Sequence, residues 1–559
     1  GKLTTSIQAY YPNPIEDFNC VTKTQMTVPT GSNEGINLTP QNSITSLTCF
    51  DGLGRIIRTI DKGITPSGQD LIKLIEYQNL ELVSQEWNPV PYSGESASIA
   101  DNLISATARA FYNDQKPHTK NIYESSPLDR IIQQYGQGED WRANNKCTSF
   151  DYSLNKAGSC CQFVIKDEDY LVYASSYPAK SLFVKQVSDE DGRITYEYSD
   201  NLGRTILSRR INNGVNHDTY FVYDNSNKLR VVMPPIASDY FISQGMNKKT
   251  PISELRYNSY IYIYNSNGQC ITKGIPGNGL ETYSYDKTGR MIFSRDADQT
   301  NKGKCRFYLY DKMGREVITG ICSYYSRYED ELTKTVTAER TTGSGWMNTG
   351  YAFSDVSIRN VQLHTVNYYD NYDYQNLFSQ QMSGMSFKHR EGYDDKYTFT
   401  ASPESSAKSL LTGTRVWMLD SSEREIVTAL YYDAKDQLVQ KQEISSDGKK
   451  IQEYYGHDFV GNIIHKYNLQ SSTQYPRTIT EYTYTYDHAG RLKKVSHKAN
   501  GSGNEKVLSE ITYDELGRKQ SQSLLDNVET LQYSYNIRNW LKSISGRNFS
   551  QELYYNTVC

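Results

Sequence analysis

The sequence predicts an all-β protein, a series of β-hairpins that pair edge to edge into one large, spiralling sheet. Three observations lead there. The string Tyr-Asp-x-x-Gly-Arg recurs along the 559 residues, and self-similarity at a short period marks a repeat architecture. Its flanks alternate between aromatic or apolar and polar residues, the period of a strand. Tyr is abundant, with 48 copies against 16 Phe and 5 Trp, which suits a broad sheet with wet faces.

Each repeat reads as strand, tight turn, strand. Clean copies are Tyr285-Asp286-Lys287-Thr288-Gly289-Arg290, Tyr310-Asp311-Lys312-Met313-Gly314-Arg315, Tyr486-Asp487-His488-Ala489-Gly490-Arg491 and Tyr513-Asp514-Glu515-Leu516-Gly517-Arg518. Phe50-Asp51-Gly52-Leu53-Gly54-Arg55 swaps only the aromatic. Ser199-Asp200-Asn201-Leu202-Gly203-Arg204 follows Tyr198 with one residue inserted. The Asp is expected to accept hydrogen bonds from turn N–H groups. The Gly is expected to take positive φ, and the Arg to stack on an aromatic ring of the neighbouring unit. A lone hairpin is marginal in water, so the units must pair into a sheet.

Along the chain, residues 1–180 are expected to form an N-terminal β-rich domain. It has alternating sequence at 20–28, a first hairpin at 50–59 and a short helix within 97–112. Residues 181–320 are the densest repeat block, with degenerate copies at Tyr223-Asp224 and Tyr264-Asn265. Residues 321–425 read as an insertion, polar and aromatic, with strand-like sequence resuming near Leu411. Residues 426–559 form a second repeat block, including Tyr432-Asp433, His457-Asp458 and Tyr535-Asn536. The stop at Cys559, just after Glu552-Leu553-Tyr554-Tyr555, reads as a truncation.

Composition narrows the function. A net charge of -4 implies no strong pull on nucleic acid or membrane surfaces, and no apolar run approaches the roughly 18 residues of a membrane helix. The 9 Cys are irregularly spaced without C-x-x-C, against a zinc-ribbon or thioredoxin-type site. Cys160-Cys161 reads as a pair of ordinary thiols, and the redox compartment stays open.

Catalytic chemistry finds no constellation. No His lies in an H-E-x-x-H motif, and His457 and His465 read as a solvent-exposed turn and strand pair, with His488 exposed on a turn. The recurring Asp is a turn residue, because an active site is needed once and a turn every time. Asp-x-x-Gly-Arg lacks the ligand spacing of a calcium loop, and its Arg would oppose a cation. Gly274-Ile275-Pro276-Gly277-Asn278-Gly279 is not followed by the Lys-Ser/Thr of a phosphate loop. The expectation is a non-enzymatic chain with no catalytic, cofactor or metal residues.

The ordered series resembles the bacterial Rhs or YD-repeat superfamily, in particular Rhs-type proteins of the Bacteroidetes whose repeats begin with a domain of unknown function. Phe50-Asp51-Gly52-Leu53-Gly54-Arg55 is similar to that family's Asp-Gly-Leu-Gly-Arg signature. Glu124-Ser125-Ser126-Pro127-Leu128-Asp129-Arg130, followed by Gly138 and Trp141, resembles its Ser-Pro-Leu-x-Arg segment. Gly413-Thr414-Arg415 with Tyr431-Tyr432-Asp433 is similar to a later block, and Tyr535-Asn536-Ile537-Arg538-Asn539-Trp540-Leu541 to the segment preceding its core domain. Tyr77-Gln78-Asn79-Leu80-Glu81-Leu82 departs, having lost the Asp, Gly and Arg of an expected repeat. The family's core, autocleavage site and variable C-terminal region would lie beyond Cys559.

The resemblance implies a hollow, cocoon-like shell, secreted or cell-surface associated, that houses a C-terminal toxin or other cargo. The alternative is a cell-surface adhesin or carbohydrate-binding module. Its Tyr-rich face would stack on surface glycans or a target-cell receptor, and 321–425 would serve as its recognition loop.

Overall fold

The structure is a computed structural model. It describes residues 7–9, 19–28 and 39–555, apart from 79–80, 168, 325–331, 378–383, 391–406, 421–423, 434, 473–475 and 501–503. A single 34-stranded sheet carries the fold, with small sheets of three and two strands beside it. The main sheet is an antiparallel meander. Ser43–Phe50 pairs with Ile56–Lys62, that strand with Asp70–Tyr77, and so on to Leu541–Ser545 and Ser550–Glu552.

A meander places successive connections at opposite rims. The repeat turns from 51–55 to the Asn-led 536–540 lie on one rim, here the turn rim, while one further Asp-x-x-Gly-Arg turn, at 189–193, lies opposite. The intervening connections, such as 63–69, 136–147 and 189–193, lie on the other, the link rim. The ladder slips by one residue just before most turns, at Cys49/Phe50, Ser284/Tyr285, Leu309/Tyr310, Thr485/Tyr486, Thr512/Tyr513 and Ser534/Tyr535. Each bulge adds right-handed twist, and a bulge repeated on one rim curls the sheet.

Three apolar clusters thicken the sheet. The helix Asp101–Tyr112 packs Ile104 and Ala108 against Ile60, Ile72 and Leu74. Arg58, wholly buried, reaches from the sheet to the Ala97 and Ile99 carbonyls and the Asp101 carboxylate, and so fixes the start of that helix. The three-stranded sheet of Cys161–Lys166, Tyr170–Ser176 and Lys249–Pro251, with the helix Pro235–Ser243, covers a second cluster. The third, running from Ile292 to Val439, lies beneath the described parts of two long links, residues 332–361 and 384–390. From 470 to 555 no large apolar side chain is buried among the described residues, and no second layer covers the described strands there.

Residues 321–425 are not one insertion. Gln362–Tyr369 and Leu411–Trp417 are strands of the main sheet, and two long links leave from opposite rims on either side of Gln362–Tyr369. The alternation in Gln-Leu-His-Thr-Val-Asn-Tyr-Tyr carries the strand period without the usual turn to announce it. The departing repeat at Tyr77 still forms a hairpin, with Tyr77 opposite Val83 and the Gln78 N–H on the Leu82 carbonyl. Asn79 and Leu80 themselves lie outside the described residues.

Candidate functional site

The repeat turn has one construction throughout. At Asp311, Oδ1 accepts from the backbone N–H groups of Met313 and Arg315 at 2.8 and 2.9 Å, and Oδ2 from Arg315 Nε at 2.7 Å. The same three bonds form at Asp51, Asp200, Asp286, Asp487 and Asp514. Gly54, Gly203, Gly289, Gly314, Gly490 and Gly517 take φ between +76 and +85°, where an L side chain is strained. Where Gly is missing, Asn227, Asp436 and Asn539 occupy the left-handed position, as short polar residues do.

Neighbouring turns are coupled through Arg and Tyr. The Arg315 guanidinium lies 4.4 Å from the Tyr369 ring centre, Arg491 4.8 Å from Tyr513 and Arg518 4.6 Å from Tyr535. Each of those tyrosines then donates its hydroxyl to the carbonyl of the residue after that Arg: Tyr369 to Glu316, Tyr513 to Leu492 and Tyr535 to Lys519, at 2.7–3.1 Å. Tyr310 and Tyr486 make the corresponding bonds to Met291 and Ile463. Sequence reasoning named the Arg stacking but missed the hydroxyl bond. The excess of Tyr over Phe was its signal.

Tyr198 is not a motif tyrosine. The ladder slips between Tyr198 and Ser199, so Ser199 takes the rim position while Tyr198 turns inward and is buried. One inserted residue moves a strand side chain to the opposite face. His457, read as exposed, is buried, and burial lowers its pKa. His488 is half-buried rather than exposed.

The remaining geometry is a seam between the two ends of the ladder. Ser67 Oγ donates to Glu515 at 2.8 Å, and Asn88 Nδ2 to the Ile537 carbonyl at 2.8 Å. Arg538 anchors it. Its two Nη atoms bond both oxygens of Glu190 at 2.6 and 2.8 Å, and its Nε donates to the Gln137 carbonyl at 3.1 Å. Its guanidinium lies 3.8 Å from the Trp141 ring centre, and Trp141 meets Trp540 edge to face. At Gly136 a Cβ would sit 2.4 Å from Arg538 Nη2, so only glycine permits this approach. Late residues on the turn rim therefore sit on early residues of the link rim, and the ladder has curled through a full coil. Two segments noted separately in sequence, around Gly138-Trp141 and Tyr535–Leu541, meet here.

No group of three His, Cys, Asp or Glu side chains assembles into a metal site among the described residues. A cleft beside the Asp311 turn is lined by Asp311, Arg315, Arg340, Tyr351, Tyr369 and Asp370, but Arg315 already bridges Asp311 and Asp370. No helix of the described residues is long and apolar enough to cross a membrane.

A family model described as a domain of unknown function, DUF6443, matches residues 22–154. No curated protein matches the chain in sequence. Among solved structures, the crystal structure of TcdB2-TccC3 is similar at 12% identity with a TM-score of 0.59, covering 97% of this chain and 23% of that one. TcdB2-TccC3 without its hypervariable C-terminal region aligns with a TM-score of 0.57 at 12% identity, over 95% of this chain and 21% of that one. The Photorhabdus luminescens Tc holotoxin pore aligns with a TM-score of 0.51 at 12% identity, over 94% of this chain and 21% of that one. The chain thus spans about a fifth of the length of these structures and shares their fold.

Proposed function

We propose that this chain is wall, a non-catalytic segment of an Rhs-type, YD-repeat shell that encloses a toxin or other cargo belonging to the same polypeptide. The coil seam carries the reading. A sheet that only presents a binding surface has no need to dock its late turns on its early links, whereas a container wall must close over each coil. Similarity to TcdB2-TccC3 along nearly the whole chain supports the same reading. The tyrosines favour wall over lectin, because their hydroxyls are engaged by backbone carbonyls and their faces by arginines. A shell of this kind acts outside the cytoplasm, secreted or held at the cell surface.

Limited proteolysis of the native polypeptide that carries this chain tests the proposal. Wild type should yield a protected fragment in addition to the wall, and the seam variant Arg538→Glu should release it to cleavage. Equal cleavage of all non-wall sequence in both proteins would overturn the reading and favour an adhesin.

A further inference from the structure

Cys305 and Cys322 face each other across the hairpin formed by Lys304–Tyr310 and Glu316–Ser323, as directly opposed residues of the ladder. Their Sγ atoms are 3.3 Å apart, and the residues are 1% and 0% exposed within the largest apolar cluster. The disulfide Cys20–Cys49 has the same placement, joining directly opposed residues of adjacent wall strands. The remaining described cysteines have no such arrangement. Cys160 and Cys161 are sequence neighbours whose side chains leave the strand differently, one buried and one half-buried, and Cys147 and Cys270 lie on separate hairpins.

We propose that Cys305 and Cys322 are a second disulfide site, a covalent staple across the middle of the wall. The pair is oxidised by thiol–disulfide exchange with a small disulfide such as oxidised glutathione. One thiolate attacks the oxidant to give a mixed disulfide and releases one thiol. The second cysteine then displaces the other, so two protein thiols and one disulfide become one protein disulfide and two thiols.

Burial dictates when this happens. The contact with Cys322 and then burial hold the Cys305 thiol well above its ordinary range, and a protonated, enclosed thiol is a poor nucleophile. Residues 332–361, with Met385 and Phe387, close the apolar cluster over the hairpin. The bond therefore forms while the hairpin has paired but the links have not yet covered it, and once covered it is shielded from reductant. The order is opposite for Cys20–Cys49, since Cys20 is only half-buried and stays within reach of solvent.

The test is refolding of the full chain in glutathione buffers of graded oxidised-to-reduced ratio, then denaturation in an alkylating agent and a non-reducing proteolytic map. The expected result is a cross-linked species joining the peptides of Cys305 and Cys322, two hydrogens lighter than the reduced pair. After refolding, it should resist reductant that opens Cys20–Cys49 under native conditions. The paired variant Cys305→Val with Cys322→Ala should lose that cross-link and keep Cys20–Cys49. Alkylation of both Cys305 and Cys322 at every ratio, up to fully oxidised glutathione, would overturn the proposal. So would exclusive pairing of either with another cysteine. Neither outcome bears on whether the wall encloses cargo.

Discussion

Arg538→Ala should open the coil without unfolding the sheet. The Arg538 side chain is 7% exposed and its partner Glu190 19%, so the pair is largely withdrawn from water. Removing one partner of a buried, hydrogen-bonded ion pair costs about 3–5 kcal/mol, and the residual solvent at Glu190 argues for the lower end. Loss of stacking on Trp141 adds about 0.5–2 kcal/mol. Together these cost about 3.5–5 kcal/mol, which raises the open population of the seam roughly 300- to 4,000-fold. Hydrogen exchange with peptide resolution is the assay. Segments 136–141 and 536–540 should exchange at least about 300-fold faster, as local opening does, while hairpins at 205–223 and 478–499 keep wild-type protection. Arg538→Lys should fall between, because an ammonium cannot reproduce the two-pronged contact. Unchanged exchange at both seam segments in the alanine variant would refute the assignment of the seam as a stabilising contact.

Other consequences can be checked by thermal melting. Gly314→Val, where φ is +80° and the space around the missing side chain is open, should destabilise by about 1–3 kcal/mol from backbone strain alone. Tyr513→Phe should cost about 1 kcal/mol by removing the 2.7 Å bond to the Leu492 carbonyl, and Tyr513→Leu should cost more because the Arg491 stacking goes too. Burial pushes Tyr310 and Tyr431 up to about 12, so their contribution to stability is intact below pH 10 and is lost as pH rises from 10 towards 12. Alkaline melting should therefore coincide with tyrosinate absorbance. In acid the sign reverses. Hydrogen bonds from Arg130 and Ser126 hold Glu124 down to about 2, so its contribution persists above the ordinary carboxylate range and is lost as pH falls towards 2.

Much of the hairpin was legible because its parts are local. Asp, Gly and Arg answer to each other within five residues, so one string specifies a turn, its left-handed residue and the start of the return strand. The helix at Asp101–Tyr112 was readable for the same reason. The Tyr hydroxyl bond was harder, since the excess of Tyr over Phe marks the donor but nothing marks the acceptor, a backbone carbonyl 16 to 53 residues earlier. The wall strand Gln362–Tyr369 was hidden between two long links that lack the turn string. The seam lay furthest from view. Gly136, Trp141 and Glu190 are separated from Arg538 by hundreds of residues, and nothing but the accumulated curl of the intervening strands brings them together.

The ladder comes round to meet itself, and a photo-crosslinking residue placed at Ser67 tests that closure most directly. Mass spectrometry of the irradiated protein should find Ser67 joined to the peptide containing Asp514–Arg518. Capture confined to sequence neighbours of Ser67, or to the adjacent strands of its own hairpins, would contradict the coil and with it the container wall.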